Sequence, residues 1–141
     1  MLQKEQKEQI VNAIKEAECN TSGEIKVHIE SHCPGDVMDR AAYWFATLNL
    51  HKTEKRNGVL FYLAMKDRKF AILGDMGINA VVPENFWNEV KELMLPFFGE
   101  GNYSEGLSKG IIMTGQKLKE FFLYQQENDV NELDDEISFG K

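Results

Sequence analysis

The stretch that decides the fold covers residues 53–79 and reads TEKRNGVLFYLAMKDRKFAILGDMGIN. Two apolar runs, residues 59–65 and 70–73, lie on either side of a short charged turn at residues 66–68. Apolar runs divided by a polar turn are typical of a β-hairpin. Because residues 59–65 show no alternation of apolar and polar side chains, we expect a central strand that is covered on both faces.

The strand expected before this hairpin has a different pattern. Glu24–Glu30 alternates strictly, and its polar set is Glu24, Lys26, His28 and Glu30. A period of two predicts a strand with one solvated face, which suits the edge of a sheet. We therefore expect Phe61→Ala, in the central strand, to cost about 3–5 kcal/mol and His28→Ala to cost less than about 1 kcal/mol.

Four helices complete the predicted pattern. They cover residues 3–19, residues 37–49 with Asp36 as N-cap, a segment with Pro83 and Glu84 in its first turn, and a segment after residues 99–101. Asn102 and Glu105 resemble a capping box for the last helix. Gly106 and Gly110 within it indicate close packing against a neighbouring element.

The predicted order of elements is α-β-α-β-β-α-α. A helical connection between the first two strands makes them parallel, and the hairpin adds an antiparallel strand. The sequence therefore predicts the α/β class, with a small mixed sheet sandwiched between helices. We expect one domain over residues 1–123 and an acidic C-terminal tail over residues 124–141.

Composition narrows the classes of function. The chain has 141 residues, 43% of them hydrophobic, and a net charge of −7. Six acidic residues and one lysine in residues 124–141 carry most of that negative charge. The net charge of the rest of the chain is therefore small, and we expect no basic face that could bind nucleic acid. Few periodic apolar residues occur in this tail, and its deletion from residue 128 onward is expected to change the melting temperature by only a few degrees.

The ends of the chain and its cysteines give further expectations. The N-terminus lacks the apolar segment of a signal peptide, and no run reaches the length of a membrane span, so the sequence predicts a cytoplasmic protein without a transmembrane helix. Cys19 and Cys33 fit no zinc motif, and free buried thiols are favoured over a disulfide.

The sequence contains no Gly-x-Gly-x-x-Gly and no Walker motif. The pattern Gly-x-Ser-x-Gly occurs at residues 106–110, but it lies inside the predicted last helix and not at the strand-to-helix turn of a nucleophile elbow. His28 and His32 would lie about 13 Å apart on a strand, too far for one metal ion. His28 and Glu30 are close enough for one ion, although a solvated strand face is the favoured interpretation. Asp67 and Asp75 are expected at opposite ends of the hairpin and cannot act as a pair.

The predicted topology instead brings three polar segments to one end of the sheet: residues 21–24, 53–58 and 74–77. Oxygen atoms of Glu24, Asn57 and Asp75 are hard ligands of the type that Ca²⁺ or Mg²⁺ prefers, and so few charges predict a dissociation constant on the order of 10⁻⁴–10⁻³ M. Thr53 and Arg56 are further candidate polar groups there. The alternative is that all five are ordinary turn residues and exposed charges.

The order of several short motifs resembles the TPM domain family, named for a thylakoid lumen protein, a photosystem II repair factor and a receptor-associated membrane protein. The motifs are TSGEI at residues 21–25, RNGVL at 56–60, DRK at 67–69, GDMGI at 74–78, MLPFF at 94–98 and GNYSEGL at 101–107. The resemblance implies a Rossmann-like α/β/α sandwich and, from plant members, acid phosphatase activity with divalent-cation binding, usually of calcium. Many members carry Asp-Asn-Gly where this chain has Arg56-Asn57-Gly58, and many carry glycine where it has Asp75. Either the carboxylate is relocated from position 56 to position 75 at the same end of the sheet, or the cation site is lost.

Two functions from different classes remain open. One is a non-catalytic protein-binding or accessory module that uses the exposed strand face or the acidic tail. The other is a weak, metal-assisted acid phosphatase that acts on phosphomonoesters. The lack of an evident nucleophile–base pair favours the binding module, and the sequence identifies no specific partner.

Overall fold

The computed structural model describes residues 2–122 and 136–140. In this part the chain forms five α-helices, one short 3₁₀-helix and four strands. Their bounds are α1 Lys4–Glu18, β1 Glu24–Glu30, α2 Val37–Thr47, the 3₁₀-helix Leu50–Lys52, β2 Gly58–Ala64, β3 Lys69–Gly74, α3 Met76–Asn79, α4 Phe86–Gly99, α5 Tyr103–Leu118 and β4 Ser138–Phe139. The mixed α/β class is confirmed.

The four strands form one sheet in the order β3-β2-β1-β4. Strands β1 and β2 are parallel, with Glu24 opposite Gly58, and β2 and β3 are antiparallel, with Val59 opposite Gly74. Every residue of β2 is buried, as the unbroken apolar run predicts. The predicted hairpin, its turn and the parallel pairing are therefore all correct.

The predicted edge position and solvated face of β1 are wrong. All seven residues of Glu24–Glu30 are buried, and β4 pairs with β1 in parallel on the side away from β2. Gly140 N–H also donates to the carbonyl of Ile29 at 2.9 Å. The alternation was misleading because groups of the same chain, rather than water, contact these polar side chains: Ser138 lies against His28 Nδ1, and Arg40 and Tyr62 donate to Glu30.

The chain divides into two units. The sheet unit contains Glu24–Val81 and Glu132–Lys141. Here α2 begins as predicted at Asp36, whose carboxylate accepts hydrogen bonds from the N–H groups of Met38 and Asp39 at 3.0 and 3.1 Å. One face of the sheet forms a core with α2 and the 3₁₀-helix, built from Cys33, Ala41, Phe45, Leu50, Leu60, Tyr62, Ala64 and Ala71.

The helical unit contains Met1–Gly23 and Val82–Asn131, and in it α5 contacts both α1 and α4. Gly106 permits the approach of α4, because a Cβ there would lie 2.6 Å from the ring of Phe98. Gly115 permits the approach of α1, because a Cβ there would lie 2.7 Å from the Cα of Ala17. A Cβ on Gly110 would lie 2.7 Å from Met94 Cγ, so the close packing predicted at Gly106 and Gly110 is confirmed.

Several predicted helix starts need correction. Helix α4 begins at Phe86 with Asn85 as N-cap, so Pro83 and Glu84 precede it. Helix α3, a single turn, was not predicted. The capping box at Asn102 is absent, since its side chain makes no cap hydrogen bond and Glu105 accepts one from Gln9 instead, at 2.5 Å.

The structure describes both cysteines and only part of the acidic tail. Both thiols are free, but Cys19 is exposed and only Cys33 is buried. The predicted boundary at residue 123 and most of the acidic tail lie outside the described residues, whereas Ser138–Phe139 belong to the sheet. In residues 2–122 and 136–140, no helix has both the length and the apolar character needed to span a membrane.

Candidate functional site

One end of the sheet gathers the residues that the sequence singled out. Glu24 N–H donates to the carbonyl of Asn57 at 3.2 Å, and Asp75 N–H donates to the carbonyl of Gly58 at 2.9 Å. Since β2 lies between β1 and β3, the backbones of Glu24 and Asp75 are about 10 Å apart. The predicted assembly of Glu24, Asn57 and Asp75 at one end of the sheet is thus present in the backbone.

Arg56 and Asp75 form a bidentate ion pair at this end. Arg56 Nε donates to Asp75 Oδ2 at 2.7 Å, and Nη2 donates to Oδ1 at 2.9 Å. The Asp75 side chain is 7% exposed and that of Arg56 is 39% exposed. The hydrogen bonds to Asp75 raise the pKa of Arg56 above its already high ordinary value, so the guanidinium stays charged.

Local backbone geometry places this pair. Arg56 has a φ of 52°, a left-handed conformation that side chains rarely adopt. Gly77 N–H donates to the Arg56 carbonyl at 2.9 Å, and a Cβ on Gly77 would lie 2.5 Å from that oxygen. Asp75 is also the N-cap of α3, and its Oδ1 accepts from Met76 N–H at 2.8 Å. Three N–H groups therefore converge on one carboxylate.

Asn57 and Thr53 are buried beside the pair. Thr53 Oγ1 accepts a hydrogen bond from Asn57 N–H at 3.1 Å, which fixes the turn into β2. The side-chain amide nitrogen of Asn57, as assigned, has no hydrogen-bond partner in the part of the chain that the structure describes. Thr53 therefore has a turn-forming role, while Asn57 retains an unused polar group.

A second polar cluster lies in the sheet unit and was missed as a cluster. Arg40 donates to both carboxylate oxygens of Glu30, at 2.8 Å from Nε and 3.0 Å from Nη2, and the Tyr62 hydroxyl also donates to Glu30. His28 is fully buried, and its ring stacks on Trp44 with centroids 3.8 Å apart. These groups form a closed network under α2.

The burial of this network changes its acid–base properties. Desolvation lowers the pKa of His28 from its ordinary 6.5 to about 4, so the ring is neutral at pH 7. Burial acts to raise the pKa of Glu30, but hydrogen bonds from Arg40 and Tyr62 outweigh it and bring the pKa below its usual range. Burial and the bond to Glu30 raise the pKa of Tyr62 well above its ordinary value.

Asp67 lies in the turn between β2 and β3, at the opposite end of these strands from Asp75, as predicted. Its carboxylate accepts from the Cys33 N–H at 2.7 Å and lies 3.0 Å from His32 Nδ1. The hydrogen bond with His32 lowers the pKa of Asp67. These contacts tie the turn between β2 and β3 to the segment after β1.

Comparison with known proteins shows the family of this chain. The profile of the TPM domain family matches residues 1–117. The chain belongs to the TPM domain family.

Solved structures support this assignment. The BA42 protein from the psychrophilic bacterium Bizionia argentinensis is 42% identical, with a TM-score of 0.93, and the match covers 99% of this chain and 96% of that one. The N-terminal domain of a protein from P. gingivalis is 20% identical, with a TM-score of 0.70 over 88% of this chain and 81% of that one. The N-terminal domain of the cg2496 protein from Corynebacterium glutamicum is 13% identical, with a TM-score of 0.67 over 83% of this chain and 74% of that one. The last two show the fold alone, and no curated protein matched.

At the place predicted for the divalent cation that the family resemblance implies, protein donors already engage the Asp75 carboxylate. Both oxygens of Asp75 already accept N–H donors from Arg56, and Oδ1 also accepts one from Met76. Among the described residues, no three His, Cys, Asp or Glu side chains converge on a point that could hold a metal ion. The Arg56 guanidinium supplies the positive charge that a cation would otherwise bring to Asp75.

The side chains of Ser138, His28 and Glu30 lie next to one another in space, in the order of the nucleophile, base and acid of a catalytic triad. His28 Nδ1 lies 3.0 Å from Ser138 Oγ, and Nε2 lies 3.6 Å from Glu30 Oε1. The second distance is too long for a hydrogen bond, and Glu30 is already engaged by Arg40 and Tyr62. The ring is also fully buried, so this arrangement serves packing rather than acyl transfer.

Some of these residues carried a sequence signal and some did not. Arg40 and Trp44 are four residues apart on α2, so they share one helix face and both reach the strand beneath. That spacing, with the charged and aromatic side chains opposite a polar strand, could have indicated a buried network. The bond from His28 to Ser138 joins residues 110 positions apart, and no local pattern indicates it.

Proposed function

We propose that this TPM domain is a non-catalytic protein-binding or accessory module in which Arg56 takes the place of a divalent cation at Asp75. The observation that carries the proposal is the bidentate hydrogen bonding between these two side chains. A carboxylate that holds a metal, or that acts as a base, needs at least one free oxygen lone pair in a suitable direction. Three N–H donors occupy three of the about four lone-pair sites of the Asp75 carboxylate, and burial of the side chain, which is 7% exposed, restricts access to the fourth.

Any Ca²⁺ or Mg²⁺ at this end would have to compete with Arg56 for Asp75. The nearest further carboxylate on the neighbouring strands is Glu24, about 10 Å away along the backbone spacing. Binding of a divalent cation is therefore weak, with a dissociation constant above about 10⁻³ M in the intact protein. The binding surface expected on β1 is not a candidate, since that strand is buried.

The alternative is a weak phosphatase, and one observation favours it. Arg56 is 39% exposed and uses Nε and Nη2 on Asp75, so its Nη1 group remains for a phosphate oxygen. A phosphomonoester at this position would meet the exposed part of the Arg56 guanidinium. Hydrolysis would still need an activated water or nucleophile.

A hydrolysis assay separates the two functions. p-Nitrophenyl phosphate is incubated with the full chain at pH 5 and pH 7, with and without millimolar CaCl₂ or MgCl₂, beside Asp75→Asn and the control Asp67→Asn. We expect all three proteins to match the rate of the buffer blank. A metal-dependent rate that disappears in Asp75→Asn and persists in Asp67→Asn would contradict the proposal and establish the phosphatase.

A further inference from the structure

Helices α1 and α5 border a polar cleft of about 450 Å³ within the helical unit. The two helices run parallel there, since Gln9 bonds to Glu105 and Ala17 packs on Gly115. A volume of this size lies within the range of small-molecule sites. The side chains that line it repeat at helical spacing on both helices, so they form two facing stripes.

The cleft is strongly acidic. Glu5, Glu8, Glu16 and Glu105 line it, and Lys109 is the basic residue among the lining groups. Lys109 lies 3.8 Å from Glu105, whereas the other three glutamates form no ion pair within the described residues. A position near a helix N-terminus explains Glu5 and Glu105 through the helix dipole, but this effect fades within the first turn and does not explain Glu8 or Glu16.

A buried hydroxyl also belongs to this cleft. Ser108 lines it from α5 and is 5% exposed, and its Oγ has no hydrogen-bond partner within residues 2–122 and 136–140. A buried polar atom without a hydrogen-bond partner lowers the stability of the fold, so such an atom in a native protein calls for an explanation, for example a bound ligand. Ala13 and Ile112 add apolar surface between the acidic groups.

The spacing of the carboxylates favours an extended cation over a single metal ion. Glu8 and Glu16 are eight residues apart on α1, which separates them by about 12 Å along the helix axis. In the described part of the chain, no three acidic, histidine or cysteine side chains converge as metal ligands. Positive charges separated by short aliphatic segments would match this pattern, with methylene groups over Ala13 and Ile112.

We propose that the cleft between α1 and α5 binds a linear aliphatic polyamine. Its ammonium groups pair with Glu8, Glu16 and Glu5, and its methylene groups cover the apolar residues between them. One ammonium donates toward Ser108 Oγ when the ligand is seated. This site is separate from the Arg56–Asp75 pair and does not depend on whether that end of the sheet is catalytic.

The test is a titration of the full chain with spermidine at low salt, followed by ¹⁵N–¹H NMR. Saturable shifts are expected in α1 and α5 around residues 8–16 and 105–112. The double substitution Glu8→Gln/Glu16→Gln should weaken binding at least fivefold. Glu54→Gln/Glu92→Gln removes the same charge from exposed positions outside the cleft and should weaken binding less than twofold.

A second matched pair tests the hydroxyl. Ser108→Ala should weaken spermidine binding about two- to fivefold, while Ser104→Ala, buried on the same helix outside the cleft, should leave it unchanged. If both double glutamate variants lost the same affinity for spermidine, or if the shifts were centred on residues 124–136, binding would depend only on net charge. Either result would overturn the proposal. The same saturable shifts with MgCl₂ would assign a metal instead. Tighter binding of an acetylated trilysine peptide at the same residues would assign the site to a protein partner.

Discussion

The imidazole of His28 stacks on the indole of Trp44, with ring centroids 3.8 Å apart and an angle of 23° between the ring planes. This contact joins β1 to α2 and excludes water from a position that the sequence places on a solvated face. The free ring nitrogen, Nε2, has no hydrogen-bond partner among the described residues, and the ring is 0% exposed. His28 is therefore a core residue of the sheet unit.

The first prediction reverses the expectation for His28. His28→Ala should destabilise the protein by about 2–4 kcal/mol, because it leaves a cavity beside Trp44 and removes the partner of Ser138. His32→Ala is the matched control, since the His32 side chain is 68% exposed, and should cost less than about 1 kcal/mol. Urea denaturation measures both. Equal losses in the two variants would contradict the buried position.

The second prediction concerns pH. His28 has a pKa of about 4 in the folded protein and an ordinary value of 6.5, so between these values the unfolded chain binds more protons. The free energy of unfolding contributed by His28 is fully present above pH 6.5 and falls as the pH drops toward 4, by at most about 1.4 kcal/mol per pH unit. Denaturation curves at several pH values from 7.5 to 5 measure this slope.

His28→Phe supplies the comparison for the pH dependence. It keeps an aromatic ring against Trp44 and removes the titrating group, so its stability should change less over the same range. Carboxylates such as Glu30 titrate at lower pH and affect both proteins alike. Parallel pH profiles for the two proteins would show that His28 is accessible to protons in the folded state.

The third prediction concerns the C-terminal strand. Removal of residues 136–141 should lower the melting temperature by about 3–8 °C, because β1 loses its pairing with Ser138–Phe139 and His28 loses its hydrogen bond. Removal of Lys141 alone is the control and should have no effect. An unchanged melting temperature in the longer truncation would restore the expectation that the tail contributes little to folding.

The fourth prediction uses a matched pair of glycines. Gly115→Ala should destabilise the protein by about 1–3 kcal/mol, because the new methyl group would meet the backbone of Ala17. Gly99→Ala has open space around it and should be neutral or slightly stabilising, since alanine favours a helix. Thermal unfolding of both variants measures the difference. A neutral Gly115→Ala would show that α1 and α5 can separate without cost.

The sequence was informative where a local pattern determined the structure. The unbroken run at residues 59–65 and its charged turn predicted a buried β2 and an antiparallel β3, and the helical connection predicted that β1 and β2 are parallel. Those three inferences were enough to bring Glu24, Asn57 and Asp75 to one end of the sheet. None of them needed contacts between distant parts of the chain.

The sequence was misleading where distant partners determined the structure. Glu30 is buried because Arg40 and Tyr62 satisfy its carboxylate, and β1 is internal because Ser138 and Phe139 lie beside it. Alternation of polar residues cannot distinguish water from such partners. The ion pair of Arg56 with Asp75 likewise depends on a positive φ at an arginine, which residue type does not predict.

The measurement that tests the central claim most directly is a calcium titration of the wild-type protein, Arg56→Gln and Arg68→Gln by NMR. Arg68 is a matched control, because it also has a positive φ, of 54°, and lies in the turn at the other end of β2. We expect no saturable shifts at Asn57 or Asp75 below about 10⁻³ M calcium in the wild type or in Arg68→Gln. Arg56→Gln frees the Asp75 carboxylate and should bind calcium at least several-fold more tightly at those residues. Calcium binding at Glu24, Asn57 and Asp75 that is tighter than about 10⁻³ M in the wild type and unchanged in Arg56→Gln would contradict the account.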